Sequence, residues 1–215
     1  MFQYSLGRNN AGLVVIGDTL TLRDLYRRLH EIAEASPLTR GAKGEFFLGF
    51  AYEVRHAMQG DRERFKPQEA QEVGPAFGFR VVWPFLLGIV ATMRASMAFF
   101  PSTSGQQAVV YSLESMLEDA IRDAFKTRAD AVQNAWRQLR PEHDAFLTPL
   151  LDARCAAFCS WTKQQRGTYL PALLESTDPM YGKWLYSHKD QPPAALLDPK
   201  ELESWVGADW PSVRW

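Results

Sequence analysis

Glu53 and His56 stand three residues apart in a stretch that reads as helix, so that a carboxylate and an imidazole fall on neighbouring positions of one face. Di-iron carboxylate bundles use the same Glu-x-x-His spacing on each of two helices. Here it occurs once. Arg55 lies between the two, and His30 sits on the preceding helical stretch, at the edge of its apolar face. If those helices lie side by side, His30, Glu53, Arg55 and His56 form a candidate acid/base or anion-holding cluster beside Phe46, Phe47 and Tyr52. On a helical wheel, however, His56 points nearly opposite the stripe of Phe46, Phe50 and Val54, with Glu53 at its flank. A solvated polar face is therefore preferred to a metal site, and neither metal nor cofactor is implied.

The remaining candidates for chemistry are sparse. His143 and His188 stand in polar segments without partners at ligand spacing. Cys155 and Cys159 are four apart in a helical pattern, neither a disulfide framework nor a zinc spacing, and read as buried thiols in a reducing cytoplasm. No Gly-x-Ser-x-Gly elbow, phosphate-cradling glycine loop or dinucleotide fingerprint occurs. Arg128 falls inside the apolar sector of a helical pattern. Its stem packs with its head in water, or it marks a buried ion pair or an anion site.

Tryptophan is the other unusual residue. Of seven in the chain, all but Trp83 lie from Trp136 onward, and Trp205, Trp210 and Trp215 crowd the end. An indole buries some 150–250 Å² when covered. These three therefore either dock on the chain's own body or anchor a partner or a second copy.

These side chains depend on a largely helical frame. Phe2–Ser5 and Leu13–Ile16 read as a hairpin, and Ala76–Trp83 as a third strand. Helices are expected over Leu22–Ala35, capped by Thr19 or Thr21, and over Glu45–Gln59, stopped by Gly60. Asp61–Glu72 reads as an exposed connection. Pro84–Phe100 is apolar nearly all round and should be the central helix. Gln106–Leu139 contains no Gly or Pro and reads as one long helix or two stacked in line. Another helix is expected from Pro141, kinked at Pro149, followed by shorter pieces after Gly167, the last being Pro199–Val206 with Asp198 as its cap.

The fold class is thus α+β and predominantly helical, a small antiparallel sheet on a helical bundle. Residues 1–190 form one domain, and 191–215 a Pro/Trp-rich segment docking on it or on a partner. Hydrophobic residues make up 46% and charged residues 23% of the 215, so disorder is excluded. Lys and Arg number 24 against 25 Asp and Glu, which leaves no basic stripe for nucleic acid. Pro84 and Arg94 argue against a membrane span in the apolar stretch.

The stretch Leu-Gly-Phe-Ala-Tyr-Glu-Val-Arg-His-Ala-Met-Gln-Gly-Asp-Arg from Leu48 to Arg62, with Asn10-Ala11-Gly12 leading to Gly17-Asp18 and the later Val81-Val82-Trp83-Pro84, resembles an uncharacterised bacterial domain family over the N-terminal part of the chain. The resemblance implies a bacterial, cytoplasmic protein and no particular activity. It favours the third strand. It also adds weight to Arg55 and His56 and brings in Asp61 and Arg62 as candidate binding residues.

Two readings of function follow. One is a non-catalytic binding or assembly protein, meeting itself or another protein through the Trp-rich C-terminal half. The alternative is a small-ligand-binding protein or enzyme using the cluster between the first two helices.

Overall fold

Alternating burial organises the sheet in the computed structural model, which describes residues 1–65, 75–187, 196–213 and 215. Strands β1 (Gln3–Leu6), β2 (Gly12–Asp18), β3 (Glu63–Phe65) and β4 (Ala76–Val82) pair antiparallel in the order β1-β2-β4-β3. Leu13 faces Val81 and Val15 faces Phe79 across the β2–β4 ladder, and all four are buried. Gly12 is required by close approach, because a Cβ there would lie 1.9 Å from the Val81 carbonyl oxygen. The charged connection after Gly60 supplies β3, a strand the sequence reading had as loop. It is an edge strand, so its pattern is charged rather than apolar, and Glu63 pairs with Arg80 of β4 at 2.8 Å. The rest of that connection, residues 66–74, lies outside the described residues.

Helix α1 (Thr19–Ala35) starts earlier than expected, because Asp18, not a threonine, is its cap and accepts from the Thr21 N–H at 2.7 Å. Helix α2 (Ala42–Gln59) ends at Gly60, whose φ of 78° is the left-handed C-cap conformation. Helix α3 (Trp83–Ser96) follows β4 without a loop, taking Trp83 from the expected strand and stopping short of Phe100. Its Leu86, Leu87, Ile89, Val90 and Met93 are all fully buried.

The Gly-free stretch that follows divides. Helix α4 (Ser104–Phe125) and α5 (Ala129–Arg137) are separated by a turn in which Lys126 adopts φ 46°. They form a hairpin rather than an in-line stack, since Gln133 Nε2 donates to the Glu118 carbonyl and Arg137 pairs with Glu118. No helix begins at Pro141. Phe146–Leu151 winds as a wide turn interrupted at Thr148, and α6 (Asp152–Ser160) follows. Helix α7 (Lys163–Glu175) runs unbroken through Gly167 and Pro171. The short helices α8 (Tyr181–Ser187) and α9 (Pro199–Glu203) complete the described chain, the latter capped by Asp198 as expected. None of the described helices is long and apolar enough to cross a membrane.

One hydrophobic cluster runs from Phe2 to Leu202 with α3 at its centre. Ile89 is 0% exposed. Ile89→Asp places an unpaired charge there at a cost of about 3–5 kcal/mol, a large part of a typical domain's stability. Thermal melting followed by circular dichroism should show a variant unfolded or nearly so at 25 °C; a parental melting curve would overturn the core assignment.

Candidate functional site

The end of α2 gathers most of the predicted cluster. With Gly60 in the left-handed conformation, the Asp61 N–H reaches back to the His56 carbonyl at 2.9 Å, and the chain returns along its own helix. Asp61 Oδ2 thereby comes 3.0 Å from His56 Nδ1, and Arg62 makes two hydrogen bonds to the Glu53 carboxylate at 2.7 and 3.0 Å. Arg55 lies 5.2 Å from the centre of the Tyr52 ring, which in turn lies 4.3 Å from the His56 ring. His30 is not part of this group. It is exposed on α1, edge-on to Tyr26 at 4.5 Å, with no hydrogen bond or ion pair to Glu53, Arg55 or His56.

The geometry holds the chain reversal together more than it prepares chemistry. His56 Nδ1 is engaged by Asp61, while Nε2 is closed off from solvent without a hydrogen-bond partner, so neither nitrogen is presented to a substrate. The Arg62–Glu53 pair is about one-third exposed on each side, where such pairs contribute about 0–1 kcal/mol. Among the described residues, no group of three or more His, Cys, Asp or Glu is placed to hold a metal ion. His143 uses Nδ1 to accept from the Ala145 N–H, and His188 lies outside the described residues. Arg128 is exposed and donates to the Gly167 carbonyl and the Thr168 hydroxyl.

The C-terminal tryptophans contact the body of the chain. Trp210 is edge-on to Phe85 and Phe46 and donates its indole N–H to Asp152 at 2.7 Å. Trp215 lies under the Arg80 guanidinium, 5.8 Å away. Trp205 lines a cavity of about 220 Å³ with Trp161 and Tyr169.

A second cavity, of about 310 Å³, was not anticipated. It opens between α5, the end of α7 and α8, lined by Ala135, Gln138, Leu174 and Met180 together with Arg140, Glu175, Asp178, Tyr181 and Trp184. Tyr181 and Trp184 stack at 5.8 Å, 25° from parallel. Tyr181 is buried, its hydroxyl accepting from the Leu197 N–H. Arg140 stands 3.5 Å from Asp178. Below, the buried Arg154 donates to the backbone and hydroxyl oxygens of Ser176, and burial lowers its pKa to about 10.

Glu175 is the anomaly in this cavity. It is the last residue of α7, where the helix dipole disfavours negative charge. Burial alone pushes its carboxyl above the usual range, and no hydrogen bond or ion pair within the described residues reaches it. The only sequence signal was an acidic residue closing the apolar run Leu170–Leu174; the partners that make it a cavity come from α5 and α8.

The fold defines an α+β protein, mainly helical, with a small antiparallel sheet. The chain belongs to a family described as a domain of unknown function (DUF6904), the match covering residues 2–215 and so including the Trp-rich half. No curated protein and no solved structure matches it.

The two thiols provide a check on this part of the core. Cys155 is fully buried and pushed well above its ordinary pKa; burial takes Cys159 up to about 11, against the opposing field of Arg166. Since the thiolate is the nucleophile, iodoacetamide at pH 7.5 should label neither in the native protein and both in denaturant. Fast native labelling at either position, read by mass spectrometry, contradicts this packing.

Proposed function

We propose that the chain is a small-ligand-binding protein whose site is the cavity between α5, α7 and α8. The observation that carries the reading is Glu175, a partly buried carboxylate without a partner among the described residues, at the C-terminal end of a helix and beside stacked aromatic rings. A charge that weakens the fold and gains nothing from it is what a binding site retains for a ligand. The buried Arg154, by contrast, is met within the fold by Ser176. A screen of small metabolites by thermal shift should return compounds that stabilise the parent chain but not Gln138→Trp, which fills the rim at an exposed position. Hits indifferent to that change, or none at all, remove the reading.

A second reading has its own support. Met180, Tyr186 and Val206 are at least half exposed in the C-terminal part of the chain, large apolar side chains of the kind that protein interfaces cover when they lie together. This is the binding or assembly protein suggested by the tryptophans, and native mass spectrometry tests it: a single-chain mass at every concentration argues against self-assembly. We read the protein as bacterial and cytoplasmic on the resemblance noted above and on two free, buried thiols four residues apart.

The carboxylate reading makes a prediction about stability and pH. With its folded pKa raised, Glu175 binds its proton more tightly in the folded than in the unfolded state. Its contribution to stability therefore falls as pH rises from the ordinary carboxylate value through the raised one, and the full penalty stands above that. Glu175→Gln should remove this pH-dependent component and gain about 0.5–2 kcal/mol at neutral pH, the range of common stabilising changes. Urea denaturation at several pH values measures both. A destabilised Glu175→Gln would mean that the carboxylate is structural.

A further inference from the structure

The charge of the cavity defines what it would hold, an inference that rests on reading it as a ligand site. The groups facing it are Glu175 from α7, Asp178 from the following turn, Arg140 from the segment after α5, and Tyr181 from α8. Arg140 lies 3.5 Å from Asp178, so these two largely cancel. Arg154, beneath, is tied to Ser176, and its nearest charge partners are Glu203 and Tyr181. Among the described residues Glu175 is left unbalanced, so that they give the cavity about one net negative charge.

We propose that this cavity takes a small organic cation, an ammonium-bearing ligand whose charged head meets the Glu175 carboxylate and whose body lies against Tyr181 and Trp184. An ammonium donates charge-assisted hydrogen bonds to a carboxylate, among the stronger interactions of their kind. The stacked rings add the quadrupole attraction that aromatic faces have for cations. Leu174 and Met180 offer apolar surface to the remainder of such a ligand. A volume of about 310 Å³ is at the lower end for ligand pockets, about 300–1,000 Å³, which suits a single-ring or short aliphatic amine. A bare divalent ion does not fit the donor set: calcium takes about six to eight oxygen ligands, whereas Asp178 is already paired with Arg140. An anion would meet the unbalanced carboxylate as a like charge.

The test uses three probes of one shape and different charge: benzylamine, benzyl alcohol and benzoate, each titrated against the full chain by ligand-observed NMR at pH 7.5. Benzylamine should bind at least tenfold more tightly than benzyl alcohol, and benzoate least. In Glu175→Gln, checked for an intact melting transition, the tenfold preference should vanish while benzyl alcohol is unaffected. Benzylamine should also weaken as pH falls and Glu175 takes up its proton, since its burial sets that protonation above the ordinary carboxylate range. Equal binding of amine and alcohol, lost in Gln138→Trp, would overturn the cation assignment and leave the ligand-site reading standing. If none of the three binds and the metabolite screen also finds no ligand sensitive to Gln138→Trp, both fail together.

Discussion

Burial of α3 on nearly every side, with Arg94 alone of its residues exposed, is the constraint on which the other elements depend. A helix apolar on every side has no stable place at a surface, so it must be covered all round. The sheet can cover one side only because β4 runs into α3 without a loop: Pro84 needs no N–H in the first helical turn, and the Trp83 N–H goes to the carbonyl of Ala11, the residue before β2. The small residues of α3 decide how near the other covers come. Gly88 leaves room for Leu151, whose side chain would lie 2.2 Å from a Cβ at that position. Thr92 returns its hydroxyl to the Gly88 carbonyl, and Trp136 of α5 donates to that of Leu87. The Thr92 hydroxyl and the Leu87 carbonyl are thus satisfied within the helix or by its covers, whereas Trp83 Nε1 and Ser96 Oγ are buried without a partner among the described residues.

The C-terminal half uses arginine in one recurrent way. Pro171 lacks the N–H that would bond to the Gly167 carbonyl four residues earlier, and Arg128 supplies a donor to it at 2.9 Å. Arg166 donates to the carbonyls of Phe158 and Cys159 at the end of α6. Arg154 does the same for Ser176 at the end of α7. Arg166 and Arg154 thus sit at helix C-termini, where carbonyls are left over and the dipole favours a cation, whereas Arg128 meets a carbonyl that Pro171 leaves free within α7. These bonds explain how α7 crosses both a glycine and a proline, and why Arg128 fits no wheel: the helix on which the wheel was drawn ends before it.

Periodicity in the sequence was enough to locate α1, α2 and α3 and the strands β1, β2 and β4, because each has a burial pattern of its own. What it could not show depended on partners distant in the chain. β3 is charged and short, legible only once β4 is present to pair with it. The break at Lys126 has neither Gly nor Pro, and it follows from α5 folding back onto α4. Gly167 read as a stop because its carbonyl partner, Arg128, is remote in sequence. The Glu53–His56 spacing was correctly placed on a helix, yet its effect is set by Asp61 and Arg62 returning past Gly60. Nothing local to Glu175 distinguished it from other acidic residues at the ends of apolar runs.

That last residue differs from the three arginines by sign and by circumstance. Arg154 and Arg166 are withdrawn from water where unsatisfied acceptors already wait, so desolvation is offset by hydrogen bonds within the fold, while Arg128 reaches its acceptors from an exposed position. Glu175 is withdrawn from water at the same kind of place, a helix C-terminus, but it brings acceptors where acceptors are already in surplus. The dipole, the burial and the Arg140–Asp178 pairing all leave it short of a donor. A glutamine or leucine there would fold with less conflict. On the reading proposed above, the residue is retained for a partner outside the described residues, a donor of positive charge small enough to enter between α5, α7 and α8.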